Sequence, residues 1–107
     1  MNKKIQKILL KKNKSKIVCL TAYSKSIAKI LDNFCDVILV GDSMANVLYG
    51  LKNTHTITLK NIIQHTLSVK KGINKSLLVV DMPKNTYKNF REAEKNAKLI
   101  INMTGCD

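Results

Sequence analysis

The stretch Val37-Ile38-Leu39-Val40-Gly41-Asp42-Ser43 limits the chain more than any other. Four branched apolar residues run without a polar break into a glycine, a carboxylate and a hydroxyl. A half-exposed strand alternates apolar and polar residues, so an unbroken run predicts a strand buried on both faces. Leu77-Leu78-Val79-Val80-Asp81-Met82-Pro83 repeats the pattern and closes on a second aspartate. In α/β folds, ligands bind where such strands end. Two neighbouring parallel strands, each closing on Asp, would bring two carboxylates to one rim.

The segments around these strands carry helical periodicity. Residues 2–14 place Ile5, Ile8 and Leu9 at helical spacing among lysines, which predicts a short amphipathic helix across the fold. Residues 17–21 form a first strand candidate, followed by a turn at Ala22-Tyr23-Ser24. Ser24 is placed to cap a helix whose inward face is Ile27, Ile30, Leu31 and Phe34. Residues 44–57 are the least regular, and Gly50, Asn53 and Thr54 mark a long loop of the kind that carries function at strand ends. Thr58 heads a helix with Leu59, Ile62, Ile63, Thr66 and Leu67 inward, and Lys70-Lys71-Gly72 ends it with the glycine as C-cap. Asn89 opens a last helix, with Glu92 three residues on as in a capping box. Its inward face is Phe90, Ala93, Ala97 and Ile100 or Ile101, and Gly105 closes it.

The order is a helix, then β-α-β-α-β-α. Strict alternation with buried strands implies parallel βαβ units. Such strands need helices on both faces or closure into a barrel, and an open three-stranded sheet leaves apolar edges unpaired. A closed (β/α)8 barrel takes ~250 residues. Residues 1–107 are therefore expected to form one incomplete TIM-barrel domain of the α/β class: an N-terminal helix and three βα units.

No apolar run approaches the ~20 residues that span a bilayer, and no signal-like apolar core follows the basic N-terminus. The expected location is cytoplasmic, with no membrane partner. Three cysteines, Cys19, Cys35 and Cys106, match no zinc or redox spacing, and Cys19 and Cys35 read as buried reduced thiols. The net charge of +12 raises the question of nucleic acid. Only one of nineteen basic residues is Arg, whereas readers of bases and phosphates favour its planar fork. The lysines are spread along the whole chain, as on a solvated surface. A small basic module binding nucleic acid or another polyanion through the N-terminal helix stands as the second reading.

Asp42 and Asp81 are the only acidic residues that end apolar strands; Asp32, Asp36, Glu92 and Glu94 read as helix-end and surface groups. Two carboxylates with water and substrate oxygens suit Mg²⁺, and a metal there polarises a bound carbonyl. The plainer reading is that each Asp caps the loop after it through backbone N–H groups. Ser43 offers a hydroxyl to a ligand carboxylate or is a turn residue. Tyr23 lines the same rim. His55 lies in the long loop, Lys84 follows Pro83, and His65 reads as a core or surface histidine.

An ordered set of motifs goes further. Thr21-Ala22-Tyr23, Val40-Gly41-Asp42-Ser43, the Gly50…Thr54…Thr58 spacing, His65-Thr66, Asp81-Met82-Pro83, Asn96-Ala97 and Gly105-Cys106-Asp107 together resemble the N-terminal part of the ketopantoate (3-methyl-2-oxobutanoate) hydroxymethyltransferase family. The resemblance runs from about residue 5 to the last. It implies a (β/α)8 barrel, Mg²⁺ and homo-oligomers. It implies transfer of a hydroxymethyl group from 5,10-methylenetetrahydrofolate to 3-methyl-2-oxobutanoate, giving 2-dehydropantoate for pantothenate synthesis, through an enolate formed at C3. It implies Asp42 and Asp81 as metal ligands, and Asp42, Ser43 and Asp81 as contacts to the 2-oxo acid. The chain departs from the family at Ser24, where Asp is usual, at Lys84, where Phe is usual, and at Met44-Ala45-Asn46. The family's substrate-binding lysine, third acidic metal-site residue and general base all fall past Asp107. The resemblance thus places no catalytic base within residues 1–107 and implies that they do not complete the reaction alone.

Overall fold

The computed structural model describes residues 1–107. Three parallel strands form one sheet in the order β1 (Cys19–Thr21), β2 (Val37–Val40), β3 (Leu77–Val80). The register sets Leu20 beside Ile38 and Ile38 beside Leu78. Five helices accompany them: α1 (Lys3–Lys11), α2 (Lys25–Leu31), α3 (Met44–Val47), α4 (Leu59–Lys70) and α5 (Phe90–Thr104). The architecture is α/β, with helices alternating with parallel strands.

The core lies on one face of the sheet. Ile38, Val40 and Leu78 point there and are fully buried against Ala28, Ile62 and Val69. Side chains alternate along a strand, so Thr21, Leu39 and Val79 stand on the opposite face. Thr21 and Val79 are exposed and Leu39 half-buried. The expectation of strands buried on both faces is therefore wrong for this chain. The fully buried core lies on one face, and the strand residues of the other are half-buried or exposed.

The helix ends follow local chemistry more closely than the helix faces do. Thr58 caps α4 by accepting from Asn61 N–H, and the Asn61 side chain returns the bond to Thr58 N–H. This reciprocal pair satisfies two otherwise free helix-end donors. Asn89 caps α5 by accepting from Glu92 N–H; the Glu92 carboxylate reaches past the cap to Lys88 N–H. Gly105 ends α5 in the left-handed region, at φ 65°, with its N–H on the Ile101 carbonyl, a conformation glycine adopts without a Cβ clash. Ser24 precedes α2, but its side chain makes no capping bond. The long loop is not irregular throughout, because residues 44–47 form α3.

Inward faces differ from expectation in each long helix. Ala28 is the buried residue of α2, whereas Ile27, Ile30 and Phe34 are exposed, Phe34 by 73%. In α4, Ile62 and Thr66 are buried as expected and Val69 joins them, while Leu67 is exposed. In α5 the buried residues are Asn96, Ile100 and Thr104, and Phe90 is 81% exposed. The polar pair is satisfied: Asn96 donates to the Thr86 carbonyl, and Thr104 to the Ile100 carbonyl. Cys35 is buried, as expected, and burial pushes its thiol pKa up; Cys19 is exposed.

Gly72 does not cap α4 through a left-handed turn. A Cβ there would sit 2.4 Å from the Lys25 carbonyl oxygen and 2.8 Å from the Lys29 nitrogen. Its place is set by the backbone of α2, which passes too close for a side chain. Ser68, one turn earlier, accepts from Lys25 N–H at 3.0 Å and fastens the same crossing.

Carboxylates tie together the end of the sheet opposite the strand-end aspartates. Asp32, read from sequence as a helix-end and surface group, does end α2 but is buried, and it accepts from the N–H groups of Asn74, Lys75 and Ser76 at 2.8–3.0 Å. Asp36 pairs with Lys11 at 2.6 Å and accepts from Val18 N–H. Asp107 accepts from Leu78 N–H, Asn2 and Lys4, and its own N–H donates to the Leu78 carbonyl. These bonds hold α1 across the N-terminal ends of the strands. Two of the four lysines of α1, Lys4 and Lys11, are paired in them. No helix is long and apolar enough to cross a membrane.

Candidate functional site

The C-terminal ends of β2 and β3 meet at one rim. Val40 pairs with Val80, so the residues that follow, Gly41-Asp42 and Asp81, lie side by side. Asp81 N–H donates to the Val40 carbonyl at 3.0 Å, which carries the ladder one residue beyond the strand. Asp42 N–H then donates to Asp81 Oδ2, also at 3.0 Å. The plain capping role of a strand-end aspartate is thus filled by Asp81, and the residue it caps is Asp42. This bond occupies one Asp81 oxygen. The Asp42 carboxylate takes part in no hydrogen bond or ion pair within the chain. Both aspartates are half-buried.

Gly41 makes this approach feasible. A Cβ on it would lie 3.0 Å from Ser43 Oγ and 3.3 Å from Asp81 Oδ2. A side chain there would crowd both groups, each of which would have to give by a few tenths of an ångström. Ser43 then enters α3, whose Met44 and Ala45 are buried and pin the turn to the core. The Ser43 side chain makes no capping bond. Its hydroxyl meets the Tyr23 phenol at 2.6 Å. Tyr23 follows Ala22, which is buried and donates to the Leu39 carbonyl. All three neighbouring strand ends therefore contribute to the rim.

His65 has a more specific place than a core or surface histidine. Its Nδ1 lies 2.9 Å from the Tyr23 carbonyl and its Nε2 lies 2.6 Å from the Tyr49 hydroxyl. A carbonyl only accepts, so Nδ1 carries the hydrogen; in the neutral ring Nε2 accepts from Tyr49. Tyr49 also meets the imidazole edge-on, with ring centroids 6.0 Å apart. Sequence reading did not single out Tyr49, which lies in an unperiodic stretch and meets a residue 16 positions away. His55 and Lys84 are both exposed and meet at 3.3 Å, Nε2 to Nζ. Lys84 therefore joins the two loops beyond the strands.

The donor set at the rim is hard oxygen: the Asp42 carboxylate, the free oxygen of Asp81 and the Ser43 hydroxyl. No group of three or more His, Cys, Asp or Glu side chains gathers there or elsewhere. Such a pair fits Mg²⁺, which keeps several waters and takes one or two protein carboxylates plus substrate oxygens. It does not suit Zn²⁺ in a closed structural site, which takes four protein ligands of nitrogen or sulfur. No cavity encloses the rim; the four surface cavities are lined by other residues, apart from Tyr23 and His65 behind it.

Parallel strands that deliver two carboxylates and a hydroxyl to one open rim define the class: an α/β protein with an oxygen-rich strand-end site. Residues 2–107 match the family model described as ketopantoate hydroxymethyltransferase, and the chain belongs to that family. It is 57% identical over 107 residues to the 3-methyl-2-oxobutanoate hydroxymethyltransferase of Pelagibacter ubique, covering 100% of this chain and 42% of that protein. The same-named protein of Anaplasma marginale (strain St. Maries) is 48% identical over 100 residues, covering 94% of this chain and 36% of that one. That of Rhizobium etli is 48% identical over 92 residues, covering 85% and 34%. The chain thus spans 34–42% of the length of these relatives. They are named as transferase enzymes, in accord with the resemblance carried by the motifs.

Proposed function

We propose that residues 1–107 form the 2-oxo acid and metal half of a hydroxymethyltransferase site on the first three units of a (β/α)8 barrel. The supporting observation is the 3.0 Å bond from Asp42 N–H to Asp81 Oδ2, which sets the Asp81 carboxylate against the Asp42 backbone at one strand-end rim in a chain of this family. Asp42 and the free oxygen of Asp81 would hold Mg²⁺. When bound, the ion supplies a Lewis acid for the carbonyl of 3-methyl-2-oxobutanoate and favours loss of the C3 proton. The chain's own residues orient the acid. The Ser43 hydroxyl donates to its carboxylate, and Asp42 N–H keeps Asp81 turned so that its second oxygen faces the rim. The one-carbon donor is 5,10-methylenetetrahydrofolate, and the product is 2-dehydropantoate. We assign no proton removal to any residue of 1–107, so these residues bind and orient and do not turn over by themselves. The whole enzyme is a cytoplasmic homo-oligomer in this reading.

Calorimetric titration with 3-methyl-2-oxobutanoate tests the proposal. Saturable binding is expected with Mg²⁺ and none with the metal chelated. Asp81→Asn is expected to weaken binding by at least about tenfold, since even outer-sphere partners of a metal carry ~10–100-fold. Affinity indifferent to both the metal and the substitution would overturn the reading.

A further inference from the structure

We propose that Tyr23 is a positioning residue that makes Ser43 a one-way hydrogen-bond donor at the rim. The proposal rests on the reading of Ser43 as a contact to the 2-oxo acid, and it adds the group that sets how that contact is made.

A serine hydroxyl has one hydrogen and two lone pairs, and a free one rotates to present either. A carboxylate needs the hydrogen. Tyr23 and Ser43 meet at 2.6 Å, and this is the one hydrogen bond of either side chain. Two arrangements are open to the pair. If Ser43 donates to Tyr23, its lone pairs face the rim and repel an anion. If Tyr23 donates to Ser43, the serine hydrogen is free for the ligand. With an anion at the rim, only the second arrangement satisfies every polar atom.

Both partners are fixed in advance. Tyr23 is held through its backbone, by the His65 Nδ1–H bond to its carbonyl at 2.9 Å. His65 is held in turn by Tyr49 at 2.6 Å. The residue before Tyr23 is locked to β2 by the bond from Ala22 N–H to the Leu39 carbonyl. On the serine side, the buried Met44 and Ala45 pin the turn that carries Ser43, and the bare Gly41 leaves room beside Oγ, where an added Cβ would lie only 3.0 Å away. Ser43 thus has one anchored partner, the Tyr23 phenol. Ordering a polar group before the ligand arrives spares the cost of ordering it on binding.

The test is a double-mutant cycle on Mg²⁺-dependent binding of 3-methyl-2-oxobutanoate. Tyr23→Phe keeps the ring and deletes only the phenol oxygen. It is expected to weaken binding about fivefold, the loss of about one neutral hydrogen bond, and Ser43→Ala at least about tenfold, the loss of a hydrogen bond to a carboxylate. The double variant is expected to bind no worse than Ser43→Ala alone, because Tyr23 acts through Ser43. Affinity for Mg²⁺ measured without the acid is expected to stay unchanged in Tyr23→Phe; a fall there would mean a general loss of rim structure and overturn the proposal. Multiplied losses in the double variant would overturn it too. Wild-type affinity in Tyr23→Phe beside weakened Ser43→Ala would overturn it while sparing the Ser43 reading. Wild-type affinity in Ser43→Ala, or no binding by the wild-type chain, would remove that reading and this proposal with it.

Discussion

Replacing Asp32 by Ala is expected to cost about 3 kcal/mol of folding stability, from the loss of charge-assisted hydrogen bonds and the stranding of a buried donor. Asp32 follows α2, is 7% exposed, and accepts from three consecutive N–H groups just before β3. Asn74 and Lys75 are exposed, so their N–H groups can turn to water when the carboxylate is gone. Ser76 is 1% exposed, so its N–H is left unpaired. Urea unfolding of the variant and the parent measures the difference. A loss under about 0.5 kcal/mol, the range of ordinary surface substitutions, would contradict the account.

Acid is expected to act on the same carboxylate. Burial pushes the Asp32 pKa up, but the N–H groups of Ser76, Lys75 and Asn74 outweigh it and hold the group below its ordinary 3.8. Asp36 is lowered by Lys11 and then by Val18 N–H; in Asp107, burial is outweighed by Leu78 N–H, Asn2 and Lys4. A carboxyl lowered in the folded chain binds fewer protons there than when unfolded. Its contribution is full above the unfolded value and is lost as pH falls through the folded one. Stability should therefore decline as pH drops below about 4, and Asp32→Ala should decline less steeply than the parent.

Gly72→Ala is the second large effect expected. The added Cβ would lie 2.4 Å from the Lys25 carbonyl oxygen, 2.8 Å from the Lys29 nitrogen and 3.0 Å from the Ala28 Cβ. The first two are backbone atoms of α2 and cannot rotate aside. The helix has to move, and it carries the Lys25 N–H bond to Ser68 and the buried Ala28 with it. Overpacking of this kind costs typically ~1–3 kcal/mol, occasionally more. At ~4–8 °C per kcal/mol for a domain near this size, a fall in melting temperature on the order of 10 °C is expected. An unchanged melting temperature would mean that α2 and α4 do not approach as described.

These two residues also mark where sequence reading stops. The strands β2 and β3 fall on the apolar runs 37–40 and 77–80, because four branched residues in a row leave few alternatives. Thr58, Asn89 and Gly105 are legible because a cap is a local bond. Inward faces are less legible, since they depend on what surrounds a helix. Ile27, Ile30, Phe34 and Phe90 are apolar and exposed, while Asn96 and Thr104 are polar, buried and satisfied within the chain. Asp32 and Gly72 act across more than forty residues and leave no local signature.

The rim divides in the same way. Asp42, Ser43 and Asp81 stand directly after apolar runs, and the strand pairing alone brings them together. The bond between Asp42 N–H and Asp81, and the Tyr49–His65–Tyr23 contacts behind Ser43, follow from the fold and not from any motif. Ser24 and Lys84, two of the departures from the family pattern, make no hydrogen bond to the rim carboxylates. Ser24 lies 3.5 Å from Ser26, oxygen to oxygen, and Lys84 reaches His55.

The central claim is that a hard divalent cation binds between the ends of β2 and β3. Mn²⁺ shares the oxygen preference of Mg²⁺ and broadens nearby NMR signals. Titrated into the isotope-labelled chain, it is expected to broaden the amides of Gly41, Asp42, Ser43, Asp81 and Met82 first, and excess Mg²⁺ should restore them. Broadening that begins instead at the carboxylates of α5, Glu92 and Glu94, or that Mg²⁺ fails to reverse, would contradict the site.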